Sequence, residues 1–302
     1  MNCVKEQWLS RIGEPSEPVV SGELVLIAQY SCADFDVELY SQPNGHGRQQ
    51  RVIMAFPKNM EGPCPAVAVP FYFAEAMLGF DPATGEEFPR YSQYPMMADL
   101  ARRGYVTASA DAYHLTFTPM DRDRGDFGRW REAAAALNRE HPQWTGIGKL
   151  ISDTRLMVDA LTTDPRVDAN RIGIAGHSLG GKMAFYTGCL DARIRVILAS
   201  DFGIRWDQTN WQDPWYWGEL AAVLEEAGMD HAQLLGLAAP KPFCLIAGQY
   251  DNMDSWEMMT KAPGYENGTD RLKIIHHGTG HMPPRDTLEE GYNFLDRWLK
   301  GK

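Results

Sequence analysis

The chain has 302 residues, 44% of them hydrophobic and 23% charged, with a formal charge of -11 and a pI near 5.2. That length is enough for one large α/β domain whose core needs neither disulfides nor a structural metal. The negative charge argues against non-specific binding to nucleic acid or an anionic membrane, and no apolar run approaches the roughly 20 residues that span a bilayer.

The first residues lack the basic patch and apolar stretch of a secretory leader. Five scattered cysteines, Cys3, Cys32, Cys64, Cys189 and Cys244, form neither a disulfide framework nor a zinc spacing. They are expected to be reduced thiols in a cytoplasmic protein.

Residues 23–30, 35–40 and 51–56 are short β-rich runs, the last two separated by the turn signal Pro43-Asn44-Gly45. From residue 65 onward the pattern changes. Continuous apolar runs at 65–71, 105–110, 171–176, 194–200, 242–248 and 272–277 lack polar alternation, as strands buried on both faces do. Helical patterns separate them, at 94–103 and 149–162 for example. The last helix carries Leu288, Tyr292, Leu295 and Leu299 on one stripe. Alternating strand and helix predicts a mostly parallel sheet flanked by helices on both faces, with antiparallel strands added at one edge by the early runs.

Residues 1–302 are therefore expected to form a single domain with a core over about 23–299. Two stretches break the rhythm. Residues 111–147 include the charge-dense Asp121-Arg122-Asp123-Arg124, and residues 202–239 hold Trp206, Trp211, Trp215 and Trp217 within twelve positions. Loops this long are uncommon unless functional, so both are read as insertions, or cap-like segments, over the strand ends.

Gly176-His177-Ser178-Leu179-Gly180 follows one predicted strand and opens a helix-compatible run at 180–190. This strand–turn–helix setting turns G-x-S-x-G from a common pattern into a nucleophile elbow. The glycines clear space around a strained serine. The N–H of Leu179, at the helix start, points to a developing oxyanion. A serine needs a base, and the base an orienting acid. His281 sits in a flexible loop, Gly278-Thr279-Gly280-His281-Met282-Pro283, whereas His276 and His277 end the strand itself. For the acid, Asp251 lies just past the run 242–248. Asp254 on the same loop and Asp201 at the end of the run 194–200 are alternatives. The second oxyanion donor is expected from the N–H of Phe71 or Tyr72. His177 and the four tryptophans are candidates for a substrate pocket with an aromatic wall.

These motifs resemble the α/β-hydrolase superfamily. GHSLGGK at 176–182, with Ala199-Ser200-Asp201-Phe202-Gly203, looks like its dienelactone hydrolase and acetyl xylan esterase-like branch. The resemblance implies an α/β-hydrolase fold, a Ser178–Asp251–His281 triad, hydrolysis of a small-molecule ester, and neither cofactor nor metal. The chain departs from its relatives at two points. Dienelactone hydrolases carry a cysteine nucleophile where this chain has Ser178, and glucuronoyl esterases carry arginine where it has Leu179. An acylated carbohydrate or aryl ester is the expected substrate. Peptidase, thioesterase and lactonase chemistry use the same triad, and a non-catalytic ligand-binding protein is the non-enzymatic alternative. Oligomeric state leaves no mark in the sequence.

Overall fold

The computed structural model describes residues 2–118, 127–266 and 270–301, so the Asp121–Arg124 charge run lies outside the described residues. Nine strands form one sheet: β1 (Val25–Ser31), β2 (Phe35–Pro43), β3 (Gln49–Pro57), β4 (Cys64–Ala68), β5 (Val106–Ala110), β6 (Val167–His177), β7 (Ile194–Ser200), β8 (Phe243–Ala247) and β9 (Leu272–His276). Their spatial order is β1-β2-β3-β5-β4-β6-β7-β8-β9. The pairings among β1, β2, β3 and β5 are antiparallel; every later pairing is parallel. All nine predicted strands are present, and the early β runs form the antiparallel edge.

Among the described residues, ten helices connect and cover the sheet: α1 (Asn2–Ile12), α2 (Met96–Arg102), α3 (His114–Phe117), α4 (Phe127–Glu140), α5 (Gly146–Thr163), α6 (Leu179–Leu190), α7 (Leu220–Glu226), α8 (His231–Ala238), α9 (Met253–Thr260) and α10 (Arg285–Leu299). Every residue of β5 and β8 is buried, as the absence of polar alternation requires. The α10 stripe of Leu288, Tyr292, Leu295 and Leu299 is buried as its spacing predicts. Ion pairs Arg103–Asp296 and Arg285–Asp99 join α10 to the α2 region. Helix α1 was not expected, because only Trp8 and Ile12 of its eleven residues are buried apolar anchors. No helix among the described residues is long and apolar enough to cross a membrane.

The strand order matters for the site. From β4 the chain crosses one way to β5, and from β6 it crosses the other way to β7, although β4 and β6 are neighbours. A crevice opens beyond the carboxyl ends of such a pair, where α/β sheets bind ligands. Ser178 follows β6 directly, and Phe71 and Tyr72 follow β4.

Candidate active site

Ser178 has φ 56 and ψ -117, the strained backbone expected of a nucleophile elbow. The flanking glycines are there for steric reasons. A Cβ on Gly176 would lie 2.1 Å from the Gly180 carbonyl oxygen, and one on Gly180 would lie 2.2 Å from that of Pro70. The second contact also shows how tightly the first turn of α6 packs on the segment after β4. It places Gly180, next to Leu179, against Pro70 and Phe71.

Ser178 and His281 line one cavity of about 440 Å³ together with Tyr72, Asp201 and Tyr250. His281 Nδ1 lies 2.6 Å from Asp201 Oδ2. An ionised carboxylate only accepts, so Nδ1 carries the proton and Nε2 is left with a free lone pair. The His281 ring meets Tyr250 edge-on at 5.0 Å between centroids and His177 at 4.5 Å.

The geometry does not bring the expected acid to the histidine. Asp201, at the end of β7, holds His281, and Asp251 does not. The Asp251 carboxylate is occupied elsewhere. Its Oδ2 accepts the N–H groups of Phe202 and Gly203, and its Oδ1 accepts that of Ile204, all at 2.8 Å. Asp254 lies in the first turn of α9, where its N–H donates to Oδ1 of the capping Asn252; it is exposed on the rim of a different cavity. Asp201 is fully buried. Burial raises its carboxyl, but the hydrogen bond to His281 and the backbone N–H groups of Asp251 and Tyr250 outweigh that and hold it below the ordinary aspartate range.

The tryptophans are also placed differently from expectation. Trp211, Trp215 and Trp217 are buried, and none of the four lines the cavity of Ser178. Their indole N–H groups need partners once buried. Trp211 donates to the carbonyls of Gly203 and Arg205, Trp206 to that of Met229, and Trp217 to the Tyr186 hydroxyl. They form the core of the 202–239 segment. The aromatic wall comes instead from Tyr72, Phe127, Tyr216 and Tyr250. His177 is buried behind His281 and does not line the cavity either; its Nδ1 lies 3.1 Å from the Ser200 hydroxyl.

Two basic side chains in the cavity were missed by the sequence reading. Lys182, four residues after the serine, is buried, donates to the Phe202 carbonyl at 2.8 Å and lies 3.8 Å from the centroid of the Trp211 ring. Burial depresses its amine well below the ordinary lysine value. Arg90 stands at the exposed edge. The i+4 spacing from Ser178 was the available signal for Lys182; nothing in the sequence marks Arg90.

Burying imidazoles has a consequence for stability. His114, His177 and His231 are each lowered to about 3, chiefly by burial and then by the nearby Arg129, His281 and Lys182 respectively. In the unfolded chain they titrate near 6.5, so below that pH the unfolded state binds the extra protons and folding weakens down to about pH 3. Asp251 works the other way. Burial raises it to about 6, so the folded form takes up its proton first and gains some stability as pH falls from 6 towards 4. From these four groups alone the loss between pH 7 and pH 5 is expected to be about 4 kcal/mol. Urea unfolding followed by tryptophan fluorescence at the two pH values measures it; a loss under about 1 kcal/mol would rule out neutral buried histidines as the cause.

Comparison with known proteins bears on this geometry. Residues 83–198, which include Ser178, match the model of the Dienelactone hydrolase family. YtaP of Bacillus subtilis strain 168, whose name describes it as a hydrolase, is 25% identical over 274 residues, covering 85% of each chain. A glucuronoyl esterase from Solibacter usitatus superposes with a TM-score of 0.73 at 15% identity, covering 98% of this chain and 91% of the other. One from Caldicellulosiruptor kristjansonii superposes with a TM-score of 0.65 at 15% identity, covering 100% and 85%. At such low identity the two superpositions speak to fold. With the elbow on this strand order the chain has an α/β-hydrolase fold, and over residues 83–198, which span the serine, it is similar to the Dienelactone hydrolase family.

Proposed function

We propose that Ser178, His281 and Asp201 act as nucleophile, general base and orienting acid, and that the chain, a carboxylic ester hydrolase, works through an acyl-enzyme. The observation that carries this reading is the Asp201–His281 hydrogen bond in the cavity that Ser178 also lines. His281 Nε2 takes the proton of Ser178 Oγ as that oxygen bonds to the ester carbonyl carbon. The tetrahedral oxyanion is held by the Leu179 N–H at the start of α6 and by a backbone N–H of Phe71 or Tyr72; each such donor typically contributes about 3 to 4 kcal/mol. Imidazolium, stabilised by Asp201, then protonates the departing alcohol. Water repeats the sequence on the acyl-enzyme and frees Ser178.

The cavity favours a polar, ring-bearing substrate. Tyr72, Tyr216 and Tyr250 offer ring surface with hydroxyls, and Thr209, Asn210, Gln212, Arg90 and Lys182 supply polar groups. An acylated carbohydrate fits that lining best, and the glucuronoyl esterases that share the fold act on sugar esters by their names. The proposed location is the cytoplasm, supported by five free thiols. Neither nucleic acid nor an anionic membrane is a proposed partner at a charge of -11.

A fluorophosphonate is expected to label Ser178 alone, read by peptide mass. In a panel of acetylated sugars, aryl esters, lactones and thioesters, acetylated sugars should show kcat/KM at least about tenfold above simple aryl esters. Labelling at another residue would remove the serine mechanism, and equal, feeble rates across the panel would remove the carbohydrate reading.

A further inference from the structure

The geometry points to Asp251 as a positioning residue: its carboxylate locks the loop that carries Asp201, and through Asp201 it sets the orientation of His281. This rests on the reading of Asp201 as the acid of the triad.

The two aspartates grip each other's backbone. Asp201 Oδ1 accepts the N–H groups of Gly248, Tyr250 and Asp251 at 3.0, 2.8 and 3.0 Å. Asp251 returns the arrangement, accepting the N–H groups of Phe202, Gly203 and Ile204. The Ser255 hydroxyl lies 3.0 Å from Asp251 Oδ1. Lys182 holds the same loop from its carbonyl side, at Phe202. The ends of β7 and β8 are thus tied by six backbone N–H groups shared between two buried carboxylates.

Such a clasp has a specific task here. Asp201 has φ 43, a left-handed conformation that costs a non-glycine residue free energy and persists only when its surroundings over-determine it. Of the four described non-glycine residues with positive φ, two are Ser178 and Asp201. The serine's conformation is fixed by the turn into α6. The aspartate has no helix after it. What fixes the backbone that follows is the row of N–H groups at 202–204, and their acceptor is Asp251. Loosening that row allows Asp201 to relax, and Asp201 Oδ2 then moves relative to His281 Nδ1. Asp251 does not line the cavity of Ser178, and its carboxylate bonds to the 202–204 backbone and Ser255, so its effect travels through Asp201.

Asp251→Asn tests this with little change of volume. An amide offers oxygen to only one of the two donor sets, and its NH2 group meets the other. In wild-type protein the proton between His281 Nδ1 and Asp201 is expected as a resonance far downfield in the ¹H NMR spectrum, absent from Asp201→Asn. In Asp251→Asn it should move upfield or broaden, with kcat down about 30-fold and KM within about threefold. An unmoved resonance overturns the proposal, whatever happens to kcat, and so does a change confined to KM. If Asp251→Asn does not fold, Ser255→Ala decides. It removes one donor and should shift the same resonance with about a threefold loss of kcat; an unmoved resonance again overturns the proposal. The resonance needs no substrate. A wild-type protein without esterase activity whose resonance still depends on Asp251 would therefore sink the functional reading and leave the clasp intact.

Discussion

Ser178→Ala is expected to lower kcat for p-nitrophenyl acetate by about 10⁵-fold, leaving a small residual rate from the oxyanion donors and binding alone. The size follows from the role. Removing Oγ deletes the atom that forms the acyl bond, so neither His281 nor Asp201 has a proton transfer left to assist. The loss should be nearly as large as that of removing all three side chains together, because the three act as one unit. The fold should be retained. Ser178 lines the open cavity, and its N–H bond to the Ser200 carbonyl, at 2.8 Å, belongs to the backbone. Steady-state kinetics beside circular dichroism of the same sample settle the matter. A variant that keeps more than about 1% of the wild-type kcat would show that another residue attacks the ester.

The serine was legible because its constraints are local. A glycine two positions to either side and an apolar strand before it are visible in the sequence, and the structure shows why each is needed: a Cβ on Gly176 or Gly180 would collide with a carbonyl oxygen. His281 was legible for a similar reason, since a glycine-rich loop between the last strand and the last helix is a feature of chain order. The acid was not. Asp201 and Asp251 both follow strands that are largely or wholly buried, and the sequence around Asp251, past the run 242–248, has the more familiar placement. What separates them is a three-dimensional exchange. Asp201 adopts φ 43 and turns one oxygen to His281, while Asp251 gives both oxygens to the 202–204 backbone. Gly203, with φ 68 two residues after Asp201, was a faint sign that the chain turns sharply there.

The tryptophans show the opposite failure. Four indoles in twelve positions read as a ligand wall, because aromatic density marks binding sites as readily as cores. The deciding quantity is where each indole N–H goes, and two of the four, Trp211 and Trp217, donate to backbone carbonyls or a hydroxyl from buried positions. Trp206, only partly buried, is tied to Met229 in the same way. The cavity is walled instead by three tyrosines and a phenylalanine drawn from four separate segments, a convergence that no local pattern records. Strand placement fared better than site placement for the same reason: a run buried on both faces declares itself residue by residue, whereas a site is assembled from distant ones.

Asp201→Asn is expected to lower kcat by about 10³- to 10⁴-fold while KM stays within a few-fold. The amide can keep the architecture. Its oxygen can still accept the N–H groups of Gly248, Tyr250 and Asp251, provided the NH2 group takes the place of Oδ2. That NH2 group then faces His281 Nδ1 as a donor. The imidazole must answer with an acceptor, so the proton moves to Nε2, the nitrogen that should receive the proton of Ser178. The base is present, correctly placed, and in the wrong tautomer. Any imidazolium that does form loses its counter-charge as well. The same substitution at Asp251 disturbs positioning alone and should cost far less, about 30-fold. The ranking of the two variants is therefore a direct measurement of which aspartate serves the histidine. If Asp251→Asn proves the more damaging to kcat in folded protein, the acid lies where the chain order first indicated, and the hydrogen bond between Asp201 and His281 has been given the wrong role.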